Sequence, residues 1–212
     1  MIASKSRLAI ILSKLKVFDA PDLQSEQYPT DSEIAAETLW DAHYQDEIEG
    51  KIIADFGCGT GILGLGAALL GAKVVFMIEK DEKALEIAKE NYESLKEDIE
   101  GEIKFLHQDV QDFNERVDVL IQNPPFGTKE KHADRDFLMK AFDTANTIYT
   151  FHKTTSENFI KKISQDNNFK VTYYKTHNFP LKAAHLFHTR KIHRIKVGCW
   201  RLESEKLTKY QA

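Results

Sequence analysis

The residue types best suited to chemistry stand together in Asn123-Pro124-Pro125-Phe126. They follow an apolar run over 117–121 that reads as a strand. Two prolines stop a strand, because each fixes φ and neither donates to a ladder. The residue before a proline is held extended, so Asn123 should carry its amide rigidly at a strand tip. A planar group bearing an NH2 would meet three things there: an acceptor from Asn123, the Pro124 carbonyl and the face of Phe126. Pro124 and Pro125 supply the rigidity. The plain alternative is a Pro-rich turn that only ends a strand.

Upstream residues bear on that choice. Asp55-Phe56-Gly57-Cys58-Gly59-Thr60-Gly61 lies between an apolar strand over 52–56 and a helix over 62–70. Glycines in such a turn let a ligand approach the backbone at a helix N-terminus. The spacing is GxGxG rather than the GxGxxG of a dinucleotide fingerprint, which argues against a dehydrogenase. Glu79 ends a second strand about 20 residues on, where an acid can take two ribose hydroxyls. Asp109 follows a third strand over 103–106 and can accept from an adenine amino group. A glycine turn alone is weak evidence. Asp55, Glu79 and Asp109 at successive strand ends point to a cofactor built on a nucleoside.

The elements that must position these groups alternate. A helix within 1–16 carries Leu8, Ile11, Leu12 and Leu15 on one face. A second helix, capped by Thr30, Asp31 or Ser32, runs to about position 48. A fourth, after the one over 62–70, spans 81–96 and turns Ala84, Leu85, Ile87, Ala88 and Tyr92 inward. Beyond the Pro-Pro loop come a helix near 137–146, a strand near 148–151 and a helix over 154–165. Two alternating stretches, 169–176 and 191–200, read as a closing antiparallel pair. Strands that are apolar almost throughout imply an α/β fold with a mostly parallel sheet covered on both faces. The reading is one domain over 1–212, with 1–48 as a helical extension and cofactor-closing segment and 49–212 as the core.

The chain has 212 residues, a net charge of -4 and 42% hydrophobic residues, as expected for a soluble domain with a full core. Global charge is silent about nucleic acid. The two cysteines, Cys58 and Cys199, lie far apart, which suggests a reducing compartment and no metal site. No apolar run is long enough to span a bilayer, and residues 1–16 lack the form of a secretion signal. The expected location is cytoplasmic, or nuclear or nucleolar in a eukaryote. Locally, residues 170–202 contain no acid but carry Lys170, Lys175, Lys182, Arg190, Lys191, Arg194, Lys196 and Arg201 among histidines and aromatics. That pattern is a phosphate footprint; the alternative is a solvated strand face. Residues 129–136 read as a lid, and His152-Lys153 as further phosphate contacts.

Taken together, the D-F-G-C-G-T-G turn, Glu79, Asp109 and Asn123-Pro124-Pro125-Phe126 resemble class I S-adenosylmethionine-dependent methyltransferases that modify amino groups. With Gln27-Tyr28-Pro29-Thr30, Phe126-Gly127-Thr128-Lys129, His152-Lys153 and Phe187-His188, nearly the whole chain resembles a small methyltransferase-like family. That family makes N6-methyladenosine in small-subunit ribosomal RNA. The resemblance implies a Rossmann-like domain with a seven-stranded sheet, an antiparallel last strand and S-adenosyl-L-methionine as cofactor. Gln27 and Thr30 would close over the cofactor, and Gly57, Thr60 and Ile62 would line its methionine and ribose. Glu79 and Asp109 would hold its nucleoside, with Asp55, Gly61, Val110 and Asn123 completing the seat. Lys129, His152, Lys153, His188, Arg190 and Lys191 would meet RNA around a flipped adenosine. A small zinc-binding activator subunit, adding a strand to the sheet edge, is also implied. One departure is Glu79, where the family favours Asp; the ribose-binding chemistry is kept. The rival reading is a glutamine-N5 methyltransferase acting on a peptide-release factor, which the same loop would suit. Phe126 in place of Tyr, the QYPT segment and the basic C-terminal third favour RNA. A module that merely docks other proteins would be expected to lose Asn123 or the prolines.

Overall fold

The computed structural model describes residues 2–17, 30–125, 133–181 and 193–205, with the side chains of 180, 181, 193 and 194 set aside. Helix α1 spans Lys5–Leu12, shorter than the expected 1–16, and Ser4 caps it by accepting from the Arg7 N–H. Leu8 and Leu12 are fully buried, while Ile11 and Leu15 pack at the edge of the same cluster. Helix α2, Ser32–Tyr44, is capped by Asp31, whose carboxylate accepts from the Glu33 and Ile34 N–H groups. It stops before position 48 because Asp46 turns left-handed, with φ 57°. The Asp46 and Glu47 N–H groups then bond back to the His43 and Ala42 carbonyls, a Schellman closure. Ile48, which prolongs the apolar pattern, is fully buried beyond that turn.

The alternation expected from 52 onward is present: β1 Ile52–Phe56, α3 Ile62–Leu69, β2 Val74–Glu79, α4 Glu82–Leu95, β3 Glu102–His107 and β4 Val117–Gln122. Then come α5 Ala133–Thr144, β5 Ala145–Lys153, α6 Glu157–Asp166, β6 Phe169–Leu181 and β7 His193–Ser204. The seven strands lie in the order β3-β2-β1-β4-β5-β7-β6. Neighbours from β3 to β5 are parallel, and β7 runs against both β5 and β6. This is the fold class expected from the sequence.

Boundaries differ where pairing overrides local pattern. Helix α5 passes directly into β5, which starts at Ala145 rather than near 148. Its early residues pair with β4, Val117 opposite Ala145, and its later ones pair with β7 on the other side. A strand held on both flanks extends past its apolar run. Strands β6 and β7 likewise pair from Phe169 opposite Ser204 to Leu181 opposite His193, further than 176 and 200.

Each sheet face has its own core. Helices α1 to α4 cover one, around Leu39, Ile53, Leu65, Val75, Met77, Ile121 and Phe151. Helices α5 and α6 cover the other, around Phe56, Leu120, Leu138, Ile148, Ile160 and Trp200. Trp200 is fully buried and stacks on Tyr174, with ring centroids 4.7 Å apart. The pair fits because Gly198 stands beside it: a Cβ there would lie 2.5 Å from both rings. Gly198→Ala should therefore destabilise the protein by about 1–3 kcal/mol, as overpacking does, although alanine suits a strand better than glycine. Chemical denaturation of the two proteins measures the difference.

Candidate active site at the strand tips

The site is built by register. Phe56 of β1 lies opposite Ile78 of β2 and Gln122 of β4, and Glu79 lies opposite His107 of β3. The next positions along one sheet edge are therefore Gly57, Glu79, His107 and Asn123. Strands stand about 4.8 Å apart, so the glycine turn lies between the acid of β2 and the amide of β4.

In the turn, Gly57 and Gly59 have φ values of 64° and 55°, a region that side chains rarely enter. A Cβ on Gly59 would meet nothing within 4 Å, so its backbone faces open space. The Glu79 carboxylate, 7% exposed, accepts from the Gly59 N–H at 2.9 Å and the Asp81 N–H at 2.9 Å. It thereby ties the turn to the cap of α4. A carboxylate has about four lone-pair positions, so capacity remains for hydroxyl donors. Thr60 is buried and Gly61 leads into α3 at Ile62. Asp109 caps a 3-10 turn over Val110–Asp112 by accepting from the Gln111 N–H, and Val110 is buried.

Asp55 is the electrostatic anomaly. It is 1% exposed; Oδ2 accepts from the Gly64 N–H at 2.7 Å, while Oδ1 has no hydrogen-bond partner. Burial, reinforced by the nearby Glu79, pushes its pKa up to about 7. Burial likewise raises Glu79 and the Cys58 thiol. Two buried carboxyls relieved by backbone N–H groups make this seat favourable for a positively charged ligand.

Asn123 stands half-buried at the β4 tip, and its Nδ2 donates to the Thr30 hydroxyl at 3.0 Å. Pro124 is buried behind it. Thr30, Asp55, Gly57, Thr60, Gly61, Ile62, Glu79, Asp109, Val110 and Asn123 thus gather on one edge. Gln27, Phe126, Lys129, His188, Arg190 and Lys191 lie outside the described residues.

The expected RNA face needs correction. His152 is 1% exposed, its Nε2 is 2.7 Å from the Thr150 hydroxyl, and burial lowers its pKa to about 3. A neutral, buried imidazole offers phosphate nothing, so its place is in the sheet, in a row with Gln122 and Thr150. Lys153 ends the strand partly exposed. Three of the described basic side chains of the acid-free stretch find counter-charges outside it. Lys175 pairs with Glu37 at 2.8 Å and Asp41 at 3.7 Å, Arg201 with Glu47 and Glu203, and Lys170 with Glu203. Lys196 is exposed.

Other supports escaped sequence reading. Asn91 of α4, 2% exposed, donates to the Thr60 carbonyl at 2.9 Å and exchanges bonds with the Lys16 backbone. Phe137 of α5 packs over Gly57, its ring 3.1 Å from where a Cβ would stand. Gln111 Nε2 donates to the Asp136 carbonyl, and Lys140 Nζ to that of Gln111, fastening α5 to the turn beside Asp109. The one signal in the sequence was Asn91, a polar residue on the inward face of an amphipathic helix.

The raised Asp55 sets a pH dependence. Its contribution to stability is fully present below the unfolded carboxyl value near 4 and is lost as pH rises through about 7. Between pH 5 and pH 8 the thermal midpoint of the unaltered protein should therefore fall more than that of Asp55→Asn. Parallel scanning-calorimetry profiles for the two proteins would contradict this assignment.

Known proteins match most of this chain. The methyltransferase small domain family model matches residues 30–149. The rRNA N(6)-adenosine-methyltransferase METTL5 of Danio rerio is 34% identical over 193 residues, covering 88% of this chain and 92% of its own. The corresponding Drosophila melanogaster protein is 32% identical, covering 88% and 90%. A crystal structure of a candidate RNA methyltransferase from Pyrococcus horikoshii superposes with a TM-score of 0.86 at 42% identity, covering 94% of this chain and 98% of its own. A family model matched over residues 30–149 and relatives 32% and 34% identical over most of both chains place this protein in the methyltransferase small domain family.

Proposed function

We propose that this protein transfers the methyl group of S-adenosyl-L-methionine to N6 of a flipped adenosine in ribosomal RNA, specifically small-subunit RNA. The observation that carries the reading is the placement of Asn123, held at the β4 tip one strand from the glycine turn. Relatives that match nearly end to end and bear that activity in their names support it.

The seat suits the cofactor. The partnerless Asp55 Oδ1 and the two raised carboxyls suit its positive charges, Glu79 its ribose hydroxyls and Asp109 its adenine. Gly57, Thr60, Gly61, Ile62 and Val110 line the seat, and Gln27 and Thr30 close it. When bound, the cofactor supplies an electrophilic methyl.

The chain's own residues do the rest. An adenine amine is a poor nucleophile because its lone pair is delocalised into the ring. Asn123 Oδ1 and the Pro124 carbonyl accept its two N–H bonds, which favours pyramidalisation and aims the lone pair. Positioning of this kind is worth roughly 7–11 kcal/mol. No strong base is needed, because the proton becomes acidic only as the N–C bond forms. Phe126 stacks on the extruded base. Lys129, Lys153, His188, Arg190 and Lys191 guide the RNA backbone; His152, being buried and neutral, has no part in this. A small zinc-binding activator pairs with one outer strand of the sheet, β3 or β6, and the heterodimer works in the cytoplasm, or in the nucleus or nucleolus of a eukaryote.

Asn123→Ala should abolish methylation while cofactor binding by calorimetry persists; retained single-turnover methylation would remove Asn123 from the mechanism. Phe126→Leu should cost much less, because stacking is worth only about 1–3 kcal/mol per base. RNA affinity should fall steeply with added salt, and more gently once Arg190 and Lys191 are both replaced by Ala. A salt response that is flat, or unchanged by that double substitution, would place the RNA contact elsewhere.

A further inference from the structure

We propose that Thr30 is a positioning residue for the methyl-transfer step: it clamps one edge of the Asn123 amide so that the other edge is the acceptor the target amine meets. The inference deepens the methyltransferase reading and rests on it.

The argument begins with the amide. A carboxamide turned over about its terminal torsion fills almost the same volume, and that torsion is soft. Hydrogen-bond partners therefore decide which edge faces a ligand. The two prolines after Asn123 fix its backbone but leave this torsion open. Asn123 Nδ2 lies 3.0 Å from Thr30 Oγ1. Thr30 is 6% exposed and immediately precedes Asp31, the cap of α2, which is bonded to the Glu33 and Ile34 N–H groups. The hydroxyl is thus carried on a fixed helix entrance rather than on a loose surface side chain.

Helix α2 is anchored further along. Tyr173 donates to Asp41 at 2.9 Å, and Lys175 pairs with Glu37 and Asp41. Through Thr30, the tip of β4 is braced against a helix that is itself held by β6.

A threonine hydroxyl can accept or donate, so the substrate matters to the arrangement. An arriving amine is a donor and needs the amide oxygen. The arrangement in which Nδ2 gives its proton to Thr30 and Oδ1 forms the opposite edge is the one that satisfies every group. The reverse setting would face one N–H with another. Without the hydroxyl, the amide loses a partner that helps hold its plane, and the lone pair of the target amine is aimed less well.

Three substitutions separate this role from packing or cofactor binding. Thr30→Val keeps the shape and removes the hydroxyl, Thr30→Ser keeps the hydroxyl, and Thr30→Ala is the second hydroxyl-free variant should valine prevent folding. The hydroxyl-free proteins should lose about tenfold or more in kcat on ribosomal RNA, as misaligned reactants do. The loss should persist when S-adenosyl-L-methionine is saturating, as fixed by calorimetry on each variant, and Thr30→Ser should restore kcat. Without any substrate, the Asn123 side-chain NH2 signal in a nitrogen–proton correlation spectrum, assigned by its absence from Asn123→Asp, should shift and exchange faster in Thr30→Val but not in Thr30→Ser. The inference is overturned by wild-type kcat in Thr30→Val, by a loss of rate that raising S-adenosyl-L-methionine to saturation restores, by failure of serine to rescue, or by an unmoved NH2 signal. If the unaltered protein bound no S-adenosyl-L-methionine, the methyltransferase reading itself would fall, a result distinct from all of these.

Discussion

The register between β1 and its two parallel neighbours is the constraint on which the rest depends. Phe56 sits opposite both Ile78 and Gln122, so the residues that follow each strand emerge side by side. A slip of one residue would turn every side chain of a strand to the other face. Here the register is held by two cores, with Ile53, Val75 and Ile121 pointing one way and Phe56, Ile78 and Leu120 the other. A slip would also carry Asn123 away from Thr30 and Glu79 away from the Gly59 N–H. The chemistry at the edge is thus specified by packing in the interior.

The second theme is charge kept in reserve. Asp55 and Glu79 are buried near one another and relieved chiefly by backbone N–H groups, which leaves both above the ordinary carboxyl range. That is a cost in the free protein and an attraction for a cationic ligand. The remainder of the chain disposes of its charge differently: the basic C-terminal strands are met by acids of α2 and the turn after it. Lys175 and Arg201, which look in sequence like part of a surface for phosphate, instead fasten a helix and the turn after it to a strand pair.

The legible parts were those whose signal is local. Apolar runs gave β1 to β4, and the glycine turn, Glu79, Asp109 and Asn123 were readable because each follows such a run. Parallel topology then brings all those ends to one edge. Distant pairings were not legible. Thr30 and Asn123 are separated by 93 positions, and Tyr173 and Asp41 by 132. Neither partner's type announces the other. His152 misled because a histidine beside a lysine at a strand end looks exposed, whereas alternation turns it inward against Trp200. Ile48 and Ala145 misled about boundaries, because an apolar residue marks burial without saying which element delivers it. Phe137 gave no signal, since an aromatic on a helix face is ordinarily core.

On the proposed reading, the cofactor lies across the tips of β1, β2 and β3, with its reactive carbon facing the Asn123 amide. A crystal structure of the protein with S-adenosyl-L-methionine bound tests this most directly. The account predicts ribose hydroxyls on Glu79, adenine beside Asp109 and Val110, and the sulfonium methyl pointing into the space in front of Asn123. A cofactor lodged away from the glycine turn, or with its methyl directed away from that amide, would contradict it.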